Sequence, residues 1–115
     1  MEISKTSSGN NFRWNIIQEN KIVGFLDWLI AADELQIIAL QIDEPYRRQG
    51  FAATALHHLL DIAHKKNMTK IFLEVRKSNI PALALYKKFG FIQQGLRKNY
   101  YSAPTEDALL LEKSI

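Results

Sequence analysis

The 115-residue chain contains no cysteine. That absence excludes disulfides, cysteine-ligated zinc and a cysteine nucleophile, so any chemistry must use oxygen and nitrogen groups. Long apolar runs are missing too: none approaches the roughly 20 residues a helix needs to cross a bilayer, which argues against a membrane partner. The opening Met-Glu-Ile-Ser-Lys lacks the basic and apolar regions of a secretory leader, so a soluble, cytoplasmic protein is the expectation. Repeats, low-complexity tracts and internal boundaries are also absent. With 47% hydrophobic content, the chain suits one domain, residues 1–115, built on one core.

Acidic residues are scarce where the chain is most basic. Residues 47–98 hold 11 of the 15 Lys and Arg but only Asp61 and Glu74 among the 12 acids, so this block carries +9 against −6 elsewhere. A basic centre with acidic flanks points to an anionic ligand held in the middle. Lys65, Lys66, Lys87 and Lys88 read as solvated helix faces. Arg47 and Arg48, beside a glycine at a helix start, are the better ligand candidates.

The cluster Thr6-Ser7-Ser8-Gly9-Asn10-Asn11 predicts a turn or a loose start over residues 1–11. Phe12–Gln18, Ile22–Ile30 and Leu35–Ile42 read as three antiparallel strands separated by Glu19-Asn20-Lys21 and Ala32-Asp33-Glu34. Trp14 and Trp28 fall within those patterns as packing residues. Helical spacing of Ala52, Leu56, Leu59, Leu60 and Ala63 predicts a helix over Phe51–Lys66. His57, His58 and His64 have no acidic or cysteine partner at ligand spacing, so no metal is expected. Lys70–Arg76 is a strand, apolar in its middle except for Glu74. A helix follows, capped by Ser78 or Asn79, with Pro81 in its first turn and Gly90 as its stop. Phe91–Arg97 and Asp107–Glu112 complete the set, joined by a loop at 98–106. The order predicts a mixed α/β (α+β) fold: a mostly antiparallel sheet, two helices and two strand-helix-strand crossovers.

The chemistry concentrates in Leu40–Ala53: an apolar strand end, a turn dense in backbone donors, and a helix start. Free N–H groups, the helix dipole, Arg47 and Arg48 favour a phosphorylated ligand, and Gly50 lets it approach the backbone closely. Alone, this is the composition of many strand-to-helix turns.

Here the chain resembles the GCN5-related N-acetyltransferases (GNAT), whose signature of Gln or Arg, two residues, Gly, one residue, then Gly or Ala is met by Arg47-Arg48-Gln49-Gly50-Phe51-Ala52. Leu73-Glu74-Val75-Arg76, Ser78-Asn79, Ala84-Leu85-Tyr86, Gly90-Phe91, Arg97-Lys98-Asn99-Tyr100-Tyr101 and Glu106-Asp107-Ala108 look like the ribosomal-protein-alanine N-acetyltransferase branch. The resemblance covers Phe12 to Lys113. It implies acetyl-CoA as donor and a primary amine, such as a protein N-terminus, as acceptor, with direct transfer, no acyl-enzyme and no metal. It further implies that a distorted strand at Leu40, Gln41 and Ile42 offers its backbone to the thioester and pantetheine arm, the Ile42 N–H polarising the thioester carbonyl. Arg48, Gln49, Gly50, Phe51, Ala52 and Ala53 would wrap the pyrophosphate, and Asn79 would bond the coenzyme arm.

An attacking amine must lose a proton, and the departing thiolate gains from receiving one. The resemblance assigns these roles to Glu74 and Tyr86. Taken alone, Glu74 reads as half of an ion pair with Arg76, two residues on and on the same strand face, and Tyr86 as a core tyrosine. Tyr100 and Tyr101 would line the groove for the acceptor peptide.

One departure stands out. The family usually begins with a strand and two helices that wall the acceptor site, whereas only eleven residues precede Phe12 here. The expected fold therefore lacks that strand and helix pair, and the surface left uncovered suggests a homodimer. Gln41 stands where the branch has a small residue. A small amine or polyamine acceptor, a non-catalytic coenzyme A sensor and an RNA-associated module are the alternative readings. The basic block lacks interleaved aromatics, which counts against nucleic acid.

Overall fold

Alternation of large apolar and polar side chains decides the sheet. In Lys70–Arg76, Ile71, Leu73 and Val75 are buried while Phe72, Glu74 and Arg76 are only half covered, the period-2 pattern of a strand with one core face. The structure, a computed structural model, describes residues 1–115. It contains β1 (Glu2–Ser8), β2 (Asn11–Gln18), β3 (Lys21–Ala31), β4 (Glu34–Ile42), α1 (Phe51–Lys65), β5 (Lys70–Arg76), α2 (Ile80–Lys88), β6 (Ile92–Tyr101) and β7 (Glu106–Ser114). A short 3-10 turn at Glu44–Tyr46 links β4 to α1.

The strands form one seven-stranded sheet in the order β1-β2-β3-β4-β5-β7-β6. Only β4 and β5 pair in parallel, because α1 carries the chain back between them. The helix α2 likewise carries β5 over to β6, with β7 inserted antiparallel to both. This is the predicted mixed, mostly antiparallel sheet with two crossovers.

Two expectations need correction. Residues 1–11 are not a loose start: Glu2–Ser8 pairs along its whole length with Asn11–Ile17 through the turn at Gly9-Asn10. The N-terminal strand is therefore present, and what β1 and β2 lack between them is the helix pair. The loop at 98–106 is also shorter than predicted, since β6 continues to Tyr101. Its pairing is irregular between Arg97 and Tyr101, and Asn99 there has a φ of 54°.

Both helices pack on the same face. Leu56, Leu59 and Ala63 of α1 and Tyr86 of α2 join Leu26, Leu35, Ile71, Leu73 and Leu111 in one cluster of 19 buried residues. Each fully buried aliphatic side chain contributes about 1.5–3 kcal/mol. Phe12 stacks on Trp28 at 4.1 Å and Trp14 meets Trp28 edge-on at 5.5 Å, so the two tryptophans do pack as expected. The buried Trp28 indole N–H has no partner. No helix packs on the opposite face, which carries Arg13, Phe25, Asp27, Phe72, Glu74 and Leu110.

Candidate active site

Parallel pairing of β4 with β5 runs only from Glu34–Lys70 to Ile37–Leu73. Beyond it the strands are unpaired, which leaves a gap in the ladder between residues 38–42 and Glu74, Val75 and Arg76. The cause lies in β4 itself. Trp28 pairs with Ile37 and Asp27 with Ala39, so Ile38 is an extra residue, and such a bulge bends and twists its strand. The predicted strand distortion thus sits two residues before Leu40. Gln41 is exposed, Leu40 half-buried and Ile42 buried. The Asp43 N–H donates to Val23 O on β3; strand alternation accordingly turns the Ile42 N–H the other way, toward the gap. Gly24 makes the far wall possible, because a Cβ there would collide with the Gln41 carbonyl oxygen.

The segment that joins β4 to α1 follows directly on this unpaired stretch. Arg47, Arg48, Gln49 and Gly50 are all exposed. Arg48 and Gly50 have φ of 64° and 84°, and Gly50 caps α1 without a side-chain hydrogen bond. No carbonyl or side chain in the protein accepts from the N–H groups of Arg48 through Ala53. This row of unpaired donors at a helix start, with its dipole, is an anion cradle. Arg47 differs from the expectation in one respect: its Nε donates to Ile42 O at 2.8 Å, tying the loop to the end of β4.

Asn79 also has a structural task. Its Oδ1 accepts from Ala82 N at 3.3 Å, capping α2, which leaves its amide NH2 free to donate. Glu106 fixes this corner from β7: its carboxylate accepts from Ser78 N and from Arg76 Nη1, the latter at 3.2 Å. These bonds, the Ser78 contact foremost, hold the Glu106 carboxyl below its usual range.

The ion pair between Glu74 and Arg76 read from the sequence alone does not form. Arg76 is taken by Glu106 and by Pro104 O. Glu74, with a side chain 20% exposed, instead has Oε1 3.4 Å from Arg97 Nε. Tyr101 lies in the same group: burial pushes its phenol up, the nearby Glu74 charge adds to the rise, and Arg76 stacks over its ring at 4.3 Å. Tyr100 is 52% exposed and sits edge-on to Tyr101 at 5.1 Å. The strand end thus brings both tyrosines to the Glu74 side of the sheet.

Tyr86 is on the other face. It is buried against Phe91 at 5.3 Å, and burial pushes its phenol well above its ordinary value. Its hydroxyl has no hydrogen-bond partner in the protein. Glu74 and Tyr86 therefore flank the sheet from opposite sides. The structure holds no cluster of His, Asp and Glu suited to a metal, and no helix is long and apolar enough to cross a membrane. A separate cavity of about 380 Å³ lies among Thr6, Phe12, Arg13, Asp27, Trp28 and Ile38, beside the bulge rather than in the gap.

Sequence reasoning missed three contacts: the tie from Arg47 to Ile42, the Glu106 staple and the pairing of Arg97 with Glu74. The run Arg97–Tyr101 marked the right strand, but only cross-strand register shows which carboxylate Arg97 meets.

Comparison with known proteins gives a consistent result. The Acetyltransferase (GNAT) family profile matches residues 2–91. The [Ribosomal protein bS18]-alanine N-acetyltransferase of Escherichia coli K12 is 34% identical over 100 residues, spanning 85% of this chain and 68% of that protein. The crystal structure of the ribosomal-protein-S18-alanine N-acetyltransferase from Escherichia coli superposes with a TM-score of 0.88 at 32% identity, covering 95% of this chain and 72% of that one. Arabidopsis thaliana Naa50, in complex with the bisubstrate analogue CoA-Ac-MVNAL, superposes with a TM-score of 0.85 at 29% identity, covering 90% and 72%.

Proposed function

This chain belongs to the GNAT acetyltransferase family, and from that premise we propose that it moves the acetyl group of acetyl-CoA directly to the α-amine of a protein N-terminus in the cytoplasm. The observation that carries the reading is the gap between β4 and β5, with unpaired N–H groups from Arg48 to Ala53 at its mouth. The pyrophosphate occupies that cradle, beside the Arg48 and Gln49 side chains. The pantetheine arm runs between the strands along Leu40, Gln41 and Ile42, and the Asn79 amide donates to it. The Ile42 N–H faces the thioester carbonyl, where a fixed donor stabilises the oxyanion of the transition state.

Glu74 takes the proton of the incoming amine on the open face, and Tyr86 gives one to the thiolate from the helix face. A phenol kept protonated by burial suits that donor role. Tyr100 and Tyr101 line the peptide side. The relatives named as ribosomal-protein-alanine acetyltransferases and the peptide-bearing analogue bound to Naa50 support an N-terminal acceptor.

The test is free-thiol release from acetyl-CoA with panels of N-terminal peptides and polyamines. Turnover should appear with peptides, and Glu74→Gln should lower it by about a hundredfold or more with coenzyme affinity nearly unchanged. Tight coenzyme binding without turnover on any acceptor would sink the enzyme reading. A second copy that supplies a wall beside the acceptor site, near Ile38, which is 52% exposed, completes the reading; sedimentation showing only monomer at high concentration counts against it.

A further inference from the structure

The Glu74 carboxylate does not stand alone on the open face. Arg97 Nε lies 3.4 Å from its Oε1, reached past Ala108 of β7, the register partner of both Arg76 and Arg97. Since Arg76 is committed to Glu106, Arg97 is the cation that balances Glu74.

The form of this pair is informative. The exposed Arg13–Asp27 pair is forked, with two bonds of 2.6 Å. Arg97 makes no hydrogen bond to Glu74, its side chain is 56% exposed, and no protein group accepts from its Nη atoms. Its guanidinium rests 5.5 Å over the Tyr100 ring. Such a loose, wet pair adds little to stability. It does decide the charge that an arriving ligand meets.

Amines differ in just that property. An α-amine titrates near about 7.7–8.0, so much of it is neutral around pH 7–8, while a lysine side chain titrates near about 10.4 and polyamines carry several charges. An unbalanced carboxylate would attract the most cationic amines best, although these are the least able to attack. A carboxylate beside Arg97 presents almost no net charge and gives them no such advantage.

We propose that Arg97 is a specificity-determining residue, whose guanidinium beside Glu74 selects weakly basic α-amines against lysine side chains and polyamines. This rests on the acetyl-transfer reading, with Glu74 at the acceptor site.

The experiment measures spermidine binding to the full chain by calorimetry at low ionic strength, and kcat/KM for spermidine and for an alanine-ended neutral peptide. Arg97→Gln should tighten spermidine binding roughly fivefold to tenfold and shift kcat/KM toward spermidine by a similar factor. Arg97→Lys, which keeps the charge, should stay near the parent. Adding Glu74→Gln to Arg97→Gln should abolish the gain in binding, and salt should shrink it. Unchanged spermidine affinity in Arg97→Gln, or an equal shift in Arg97→Lys, overturns the charge screen while leaving acetyl transfer to the peptide intact. The expected binding pattern without turnover on any amine supports the screen and overturns the transfer reading instead.

Discussion

Arg47 Nε donates to the carbonyl oxygen of Ile42 at 2.8 Å, joining the loop before α1 to the end of β4. A charged donor on a carbonyl is worth about 1.5–3 kcal/mol. Arg47→Ala should therefore lower coenzyme affinity by about tenfold, through misplacement of the loop as well as lost charge. Calorimetric titration with coenzyme A measures it; affinity equal to the parent's would mean that the loop holds its shape without the tie.

Gly50 has a φ of 84°, and no atom lies within 4 Å of where its Cβ would be. Gly50→Val thus meets backbone strain rather than a protein clash, and its side chain would project toward the phosphate position. Coenzyme binding should fall well over tenfold. Survival of full affinity would show that the pyrophosphate sits elsewhere.

The Tyr86 ring is packed but its hydroxyl has no protein partner, so Tyr86→Phe should change stability by less than about 1 kcal/mol. Turnover should nevertheless drop by about a hundredfold if the hydroxyl protonates the thiolate. Burial raises the phenol above its ordinary 10.0, so Tyr86 should impose no loss of activity on the alkaline side below about pH 10. A pH–rate profile of parent and variant checks both points.

Gly24 faces the Gln41 carbonyl so closely that Gly24→Ala must push β3 and β4 apart. A loss of about 1–3 kcal/mol is expected from such overpacking, read as a drop of several degrees in Tm. Coenzyme affinity should fall with it, because the displaced strand lines the gap. An unchanged Tm would show that the strands relax freely there.

Glu106 has a folded-state pKa lowered from 4.5 by Ser78 and Arg76. Its contribution is accordingly present in full above the unfolded value and lost as pH falls through the lower folded value. Thermal melts from pH 6 down to pH 2 should show the parent losing its advantage over Glu106→Gln only below about pH 4.5. A constant difference between the two across that range would contradict the staple.

Much of the scaffold was legible because its causes are local. The stripe Ala52, Leu56, Leu59 and Ala63 lies within one helix, Asn79 caps the turn that follows it, and alternation around Glu74 needs only its neighbours. The motif from Arg47 to Ala52 likewise marks a donor-rich helix start without reference to any distant residue. Residues 1–11 were misread because Ser, Gly and Asn resemble a frayed end until a partner strand satisfies their backbone.

The sequence by itself determined both helices, every strand but β1 and the donor-rich start of α1, since periodicity, capping and free helix-start donors act over a few residues. Tertiary structure alone decided that β4 and β5 part after Ile37 and Leu73, that Glu74 faces Arg97 rather than Arg76, and that Tyr86 lies across the sheet from Glu74. These depend on register, a bulge at Ile38 and a competing carboxylate at Glu106, which are long-range choices made only when the strands pair.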